Sequence, residues 1–127
     1  MNSYHITRTE HTTLGIRISV AQTDGTEIGH VYVFFITNDS HKKPYALVED
    51  LCVLPEARSQ GVGNTLLSDA IAIAREHECY KVLATSRTER DEVHTWYVRK
   101  GFEKFGYEFR MDLEHMTKGK EQKTIDT

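Results

Sequence analysis

The chain has 127 residues, 39% of them hydrophobic, which is enough for one domain with a core and too few for two. Its net charge is −3 and its lysines and arginines are spread along the chain, which argues against a nucleic-acid or membrane-surface partner. No apolar run approaches the roughly 20 residues of a membrane span, and the first residues lack a signal-peptide hydrophobic region, so we expect a cytoplasmic protein.

Cysteine and histidine spacing gives no sign of a disulfide or a metal site. Cys52 and Cys79 do not form a C-x-x-C pair, and thiols in a reducing compartment usually stay free. The seven histidines show neither H-E-x-x-H nor zinc-finger spacing. We therefore expect free thiols and no structural or catalytic metal.

Alternating polarity in the first half of the chain predicts strands. The clearest case is Leu14–Ala21, in which every second residue is Leu, Ile or Val. Asp24 and Gly25 then predict a tight hairpin turn, because Asp-Gly accepts positive φ angles. Polar residues at 38–43, closed by Pro44, predict a loop. The predicted strands of this half are residues 4–7, 14–21, 28–37 and 45–54.

The second half of the chain alternates helix and strand patterns. Apolar residues recur at helical spacing over 63–77, and residues 80–85 follow as a short buried strand. A strand, helix, strand order of this length forms a right-handed crossover, so strands 45–54 and 80–85 should lie parallel. A second helix, 91–100, ends at Gly101, which enters the left-handed region freely.

These elements predict one α/β domain over residues 1–113. Its sheet is mixed and mostly antiparallel, with a parallel pair made by the fourth and fifth predicted strands, and helices flank it. Alternating residues at 107–113 predict a final strand. Residues 114–127 are polar and charged, and we expect a flexible C-terminal tail.

The segment after strand 45–54 carries the main functional signal. It reads Arg58-Ser59-Gln60-Gly61-Val62-Gly63 and leads directly into the first helical pattern. A helix start has unpaired N–H groups and partial positive charge, and glycines let the backbone close around a ligand. This combination predicts a phosphate-binding loop.

Two motifs in this setting resemble those of the GCN5-related N-acetyltransferases (GNAT superfamily). The loop from Arg58 to Gly63 is similar to the family's acyl-CoA binding motif, and HTWYVRKGF at 94–102 is similar to its second signature. The order and spacing of strands and helices agree across residues 14–113. The resemblance implies a GNAT-type domain that uses acetyl-CoA.

The resemblance also implies which residues hold coenzyme A. The loop would bind the pyrophosphate, and the backbone at the end of strand 45–54 would pair with the pantetheine arm. A Cβ at the loop glycines would hold the phosphate away from the amides. Arg90 stands where many family members have an asparagine that holds pantetheine. The implied cofactor-binding residues are Leu51, Cys52, Val53, Arg58, Ser59, Gln60, Gly61, Val62, Gly63, Asn64 and Arg90.

Glu49 and Asp50 are the candidates for the base that removes a proton from the amine. A carboxylate whose pKa is raised by partial burial suits this role. Strict alternation puts Glu49 on one face with Leu51 and Val53, and Asp50 on the other with Cys52. We favour Glu49 as catalytic, because its face matches that of the base in related enzymes, and Asp50 as a substrate-binding residue or a partner for nearby backbone.

Tyr97 is the second catalytic candidate. The resemblance puts it near the coenzyme sulfur, where a phenol can protonate a departing thiolate. The alternative is packing beside Trp96 and Phe102. Cys52 is expected to be a buried structural thiol instead of a covalent relay, and His94 to make a local hydrogen bond instead of acting as a proton shuttle.

The predicted function is an acetyl-CoA-dependent N-acetyltransferase acting on a primary amine of a small molecule, such as an amino sugar, amino acid derivative or polyamine. The Glu49-Asp50 pair is reminiscent of glucosamine-phosphate acetyltransferases. A protein amine, such as a lysine side chain or an N-terminus, and a non-catalytic acyl-CoA sensor are the alternatives. The resemblance implies one or two helices before residue 14 that wall the acceptor site, but no helical pattern is present there. The acceptor pocket is therefore either open or completed by another subunit, and we expect a homodimer. The negative net charge of the chain disfavours a nucleic-acid-binding α/β domain.

Overall fold

The computed structural model describes residues 3–114, which fold around a four-stranded sheet. The elements in chain order are β1 (Leu14–Ala21), β2 (Glu27–Asn38), β3 (His41–Val53), a 3₁₀ turn (Pro55–Gln60), α1 (Val62–Glu76), β4 (Val82–Leu83) and α2 (Asp91–Arg99). The strands lie in the order β1-β2-β3-β4. Only β3 and β4 are parallel, so the predicted mixed α/β fold is confirmed.

The core lies between one face of the sheet and α1. Val31 and Val33 of β2 are fully buried, as are Leu66 and Leu67 of α1. Alternation along β2 puts the odd-numbered side chains on this face. Gly29 allows the close approach of α1, because a Cβ there would lie 2.8 Å from Cγ1 of Val62.

The predicted hairpin turn and both predicted helices are confirmed. Gly25 has φ 92°, its N–H donates to the carbonyl of Gln22, and the N–H of Thr26 donates to Oδ1 of Asp24. Gly61, at φ 77°, precedes α1, and Gly101, at φ 103°, follows α2. Neither helix within residues 3–114 is long and apolar enough to cross a membrane.

The predicted loop at 38–43 was wrong, because β2 and β3 continue through most of it. β2 ends at Asn38 and β3 begins at His41. Oδ1 of Asn38 accepts a hydrogen bond from the N–H of Ser40, which stabilises a short turn between them. Pro44 therefore lies inside β3, and its carbonyl accepts from the N–H of Tyr80.

Three predicted strands are shortened or lost. The strand predicted at 80–85 is reduced to Val82–Leu83, and residues 4–7 and 107–113 form no strand. Their side chains protrude into solvent: Tyr4 is 82% exposed and Phe109 92%. Alternation alone does not make a strand, because the ladder needs a neighbour to hydrogen-bond with. The tail predicted at 114–127 lies, apart from Glu114, outside the described residues.

Candidate active site

An irregularity at Asp50 shapes the end of β3. Glu49 pairs with Tyr32, and the next pair is Cys52 with His30, so β3 advances three residues while β2 advances two. Asp50 takes up the extra residue with a φ of 53°. This is a β-bulge, which bends a strand and redirects side chains.

Because of the bulge, the prediction that Glu49 shares a face of the sheet with Leu51 and Val53 was wrong. Val48, Leu51 and Val53 all point into the core, although strict alternation would separate Val48 from the other two. Glu49 therefore does not share a face with Leu51 and Val53. It lies half-buried on the opposite side of the sheet from α1, and Asp50 is exposed at the bend.

Glu49 has the perturbed acidity expected of a base. Partial burial raises the pKa of Glu49, and the negative charges of Glu108 and Asp50 raise it further. A carboxylate in this state takes up a proton more readily than one in open water. Glu49 is thus suited to accept a proton from an ammonium group placed beside it.

Asp50 belongs to a chain of charged side chains. Its Oδ2 lies 2.9 Å from Nε2 of His30, whose Nδ1 is 3.8 Å from Oε2 of Glu27. Glu27 in turn accepts two hydrogen bonds from Arg17, which is the main reason that the pKa of Glu27 is lowered. One oxygen of Asp50 is therefore engaged by His30, which links the bulge of β3 to β2.

The outer edge of β3 is open beyond Leu47. β4 pairs with β3 only at Ala46 and Leu47, and no strand among residues 3–114 lies beside the stretch from 48 to 53 on that side. The side chains of Leu51 and Val53 fill the core, so their backbone is what this edge presents. An exposed strand edge of this kind can accept an extended ligand by backbone hydrogen bonds.

Cys52, on the same stretch, is half-buried. Burial and the charge of Asp50 raise the pKa of its thiol. The thiol is therefore mostly protonated near neutral pH, which disfavours nucleophilic chemistry.

The N-terminus of α1 follows this edge at a conformation that requires glycine. Gly61 has φ 77°, a region that L side chains enter at a cost of roughly 1–2 kcal/mol. A Cβ at Gly61 would meet no protein atom within 4 Å, so the space above it is free for a ligand. The amides of the first turn of this 15-residue helix make an anion site.

A cleft of about 330 Å³ separates this helix start from α2. Its lining residues are Val53, Arg58, Gly61, Gly63, Asn64, Arg90, Glu92, Val93, Trp96 and Arg99. Three of them are arginines, and the single acid, Glu92, pairs with Arg90 at 3.5 Å. The cleft therefore favours an anionic ligand.

The structure brings only part of the predicted cofactor set to this cleft. Arg58, Gly61, Gly63, Asn64, Arg90 and Val53 line it. Ser59 and Gln60 are exposed on the 3₁₀ turn and do not line it, and Val62 turns its side chain into the core. Arg58 is fixed at the end of β3, since its Nε donates to the carbonyl of Val53 at 3.4 Å.

Sequence reasoning missed the wall that α2 contributes. Nε1 of Trp96 donates to Oδ1 of Asn64 at 2.8 Å and so joins α2 to the start of α1. The signal was in the spacing, because Arg90, Val93, Trp96 and Arg99 recur every third residue, so that each lies next to the following one on the helix surface.

Tyr97 lies in the core beside the cleft. It is 6% exposed, and its ring packs edge-on against Phe102 at 5.2 Å between centroids. Its neighbours Val93 and Trp96 line the cleft, and Tyr97 itself does not. His94 donates from Nε2 to the carbonyl of Arg87 at 2.7 Å, which ties the preceding loop to α2.

The cleft and the open edge fit a long anionic ligand with an amide-bearing arm. The arginines and the α1 amides suit a diphosphate, and the free edge of β3 suits an extended chain with amide groups. Glu49 lies at the other end of that edge. The arrangement can therefore hold a diphosphate at one end and present a reacting group to a carboxylate at the other.

Comparison with known families gives one match that covers most of the chain. The sequence profile of the acetyltransferase (GNAT) domain matches residues 15–104. The matched region includes β1 to α2 and both motifs identified in the sequence.

Solved structures agree on the fold. An acetyltransferase from Trypanosoma brucei is 25% identical over 78% of this chain and 69% of its own, with a TM-score of 0.72. Two others share the fold at 14% identity. Glucosamine-6-phosphate N-acetyltransferase from Arabidopsis thaliana matches 79% of this chain and 67% of its own, with a TM-score of 0.73. An aminoglycoside acetyltransferase from an uncultured soil metagenomic sample matches 79% and 66%, with a TM-score of 0.69. This chain thus spans about two thirds of the length of these structures.

Proposed function

The chain belongs to the GNAT acetyltransferase family, and on that premise we propose that it transfers an acetyl group from acetyl-CoA directly to a primary amine of a small molecule. One observation carries the proposal. The arginine-lined cleft at the start of α1 and the half-buried Glu49 lie at opposite ends of the same open strand edge. A cofactor bound along this edge would have its reactive end near a base.

Binding of acetyl-CoA uses groups whose geometry is fixed before the ligand arrives. Arg58 and Arg90 line the cleft together with Gly61, Gly63 and Asn64 at the start of α1. These groups would hold the diphosphate, and the backbone of Leu51, Cys52 and Val53 would align the pantetheine arm. Bound acetyl-CoA supplies an activated acetyl thioester.

Proton transfer is the task of Glu49. The amine attacks only in its neutral form, so one proton must leave its nitrogen before the new C–N bond forms and the C–S bond breaks. Glu49 would accept that proton directly or through one water. Asp50 lies beside it at the bulge and would help attract the substrate ammonium.

Tyr97 is our proposed donor to the departing thiolate. A phenol is the right chemical group, and Tyr97 lies on the helix whose exposed side forms one wall of the cleft. Its hydroxyl would need to reach the thioester sulfur at the end of the pantetheine arm. Its ring is held by Phe102 and Trp96, so the hydroxyl has a defined direction.

The acceptor is the least constrained part of the proposal. Two adjacent carboxylates complement an ammonium group, and we favour amino sugars, amino acid derivatives or polyamines. A protein amine is the second candidate. It is favoured by the exposure of the segments that flank this side of the sheet, which leave room for a larger acceptor.

The test is thiol release from acetyl-CoA across a panel of amines, including amino sugars, polyamines and lysine peptides. We expect release with at least one small amine, and Glu49→Gln should lower turnover by about 10²-fold or more. Acetyl-CoA affinity should remain the same in the variant, because Glu49 does not line the cleft.

Glu56→Gln is the matched control, since Glu56 is an exposed glutamate on the 3₁₀ turn. It should keep full activity. Cofactor binding without thiol release for any amine would contradict catalysis and leave a sensor. Preferential release with lysine peptides would replace the small-molecule acceptor with a protein.

A further inference from the structure

His30 of β2 lies between two carboxylates that come from different parts of the sheet. Its Nε2 is 2.9 Å from Oδ2 of Asp50 in β3, and its Nδ1 is 3.8 Å from Oε2 of Glu27 at the start of β2. A carboxylate oxygen accepts hydrogen bonds, so Nε2 donates to Asp50. The imidazole therefore connects the bulge of β3 to the first residue of β2.

The ring of His30 has little freedom to turn. Its side chain is 19% exposed, and the ring meets that of Tyr32 edge-on, at 81° and 5.9 Å between centroids. Its cross-strand neighbours are Ser19 in β1 and Cys52 in β3, so a strand flanks it on either side. A ring held on these sides presents Nε2 to Asp50 in one orientation.

Glu27, which faces the other ring nitrogen, is itself held in place. Two nitrogens of Arg17 in β1 donate to its two carboxylate oxygens, at 2.8 and 2.7 Å. A paired contact of this kind fixes the geometry of a carboxylate as well as attracting it. Arg17, Glu27, His30 and Asp50 thus form one row of contacts that crosses three strands.

Stability alone is a weak reason for this row, because exposed ion pairs contribute little to it. The side chains of Arg17 and Glu27 are 39% and 42% exposed. At the other end of the row, the side chain of Asp50 is 49% exposed although His30 holds one of its oxygens. A carboxylate that is held and still accessible can bind a cation at a defined position.

The position of Asp50 indicates which cation it meets. Asp50 follows Glu49, and its charge acts on Glu49 and helps to raise the pKa of that carboxyl. A primary ammonium group has three N–H donors, so it can contact both carboxylates at once. Asp50 also has a φ of 53°, and backbone conformations of this kind in non-glycine residues cluster at functional sites.

We propose that His30 is a positioning residue, which holds the carboxylate of Asp50 where it binds the ammonium of the acceptor beside Glu49. Arg17 and Glu27 support this role by fixing the side of the ring that faces away from Asp50. The inference rests on the proposed function, because it concerns the amine that Glu49 deprotonates. His30 does not line the cleft, so its loss should affect the amine and not the cofactor.

The experiment measures thiol release from acetyl-CoA with glucosamine, putrescine and a lysine peptide. It compares the native chain with His30→Leu, which removes the donor, and with His30→Gln, whose amide N–H can replace it. For the amine that reacts, we expect His30→Leu to raise KM about tenfold and to change kcat by less than about twofold. His30→Gln should recover most of the native KM, and acetyl-CoA affinity should be the same in all three.

His41→Leu is the matched control. His41 lies at the opposite end of β3, where its ring stacks on Tyr80 at 3.8 Å between centroids. This variant should keep the native KM for the amine. Thermal unfolding checks that each protein is folded, and His30→Asn, whose polar side chain is too short to reach Asp50, replaces the leucine variant if that one is not.

A second substitution shows whether His30 acts through Asp50. Asp50→Asn should raise KM by itself, and His30→Leu should add little to KM in that background. An unchanged KM in His30→Leu, or the same factor in both backgrounds, would overturn the positioning role while native turnover upholds the proposed function. A loss of acetyl-CoA affinity that His30→Gln does not restore would also overturn it, because the role would then be structural. No thiol release from the native chain with any of these amines would overturn the proposed function, and the role of His30 with it.

Discussion

The two sides of β3 differ: the side of α1 and α2 carries a formed cleft, and the side of Glu49 is open to solvent. On the side of α1 and α2, a hydrogen bond from Trp96 to Asn64 joins the walls of a formed cleft, and Arg58 is fixed on the carbonyl of Val53. On the side of Glu49, the segment 103–114, whose Glu108 acts on Glu49, is entirely exposed. Within the described residues, the proposed cofactor side is a formed cleft, and the proposed amine side is open to solvent.

The physical reason is that the two sides use different groups. The cleft is built on a helix start, a strand edge and one left-handed glycine, all of which come with the fold, and arginine side chains add charge to it. The proposed amine side depends on side chains whose direction is set by a bulge, next to a segment that no other described residue covers.

The largest effect on acetyl-CoA affinity is expected from a change at the helix start. Gly61→Val should weaken acetyl-CoA binding by roughly 100-fold, about 2.7 kcal/mol, because a β-branched residue cannot hold φ 77° without moving the first turn of α1. Isothermal titration measures the affinity.

Gly25→Val is the control for this change. Gly25 also has a positive φ, in a hairpin turn remote from the cleft. It should lose similar stability and keep its affinity for acetyl-CoA. Equal affinity in Gly61→Val and the native chain would mean that this helix start does not hold the cofactor.

A smaller effect is expected at Tyr97. Tyr97→Phe should lower kcat by about tenfold, or about 1.4 kcal/mol in the barrier, with little change in acetyl-CoA affinity. The ring contact with Phe102 is retained, so any change in the free energy of unfolding comes from the loss of the hydroxyl's own contacts. Steady-state kinetics and thermal unfolding provide both numbers. Full kcat in the variant would leave Tyr97 with packing alone.

Much of the cofactor side could be predicted from the sequence. Gly61 and Gly63 after a strand, with an apolar helical repeat following, predicted the turn and the helix that now form the cleft. The three-residue spacing along α2 also indicated that Trp96 lies beside the cleft, but the sequence analysis did not use it. Local patterns sufficed because both features arise within short stretches of chain.

The amine side could not be predicted in the same way. The bulge at Asp50 depends on how β2 and β3 register, and nothing in the order Val48, Glu49, Asp50, Leu51 shows where an extra residue will be placed. The segment at 107–113 has the alternation of a strand, but a strand also needs a neighbour. Both errors concern strand pairing, which depends on residues far along the chain.

The measurement that tests the central claim most directly is the pH dependence of kcat/KM. Glu49 must be ionised to accept a proton, and its pKa is raised above the ordinary 4.5, so activity should fall with decreasing pH at a value above that. Glu108→Gln removes one cause of the shift and should move this limb to lower pH. We predict that the limb disappears in the residual activity of Glu49→Gln; an unchanged limb in that variant would contradict Glu49 as the base.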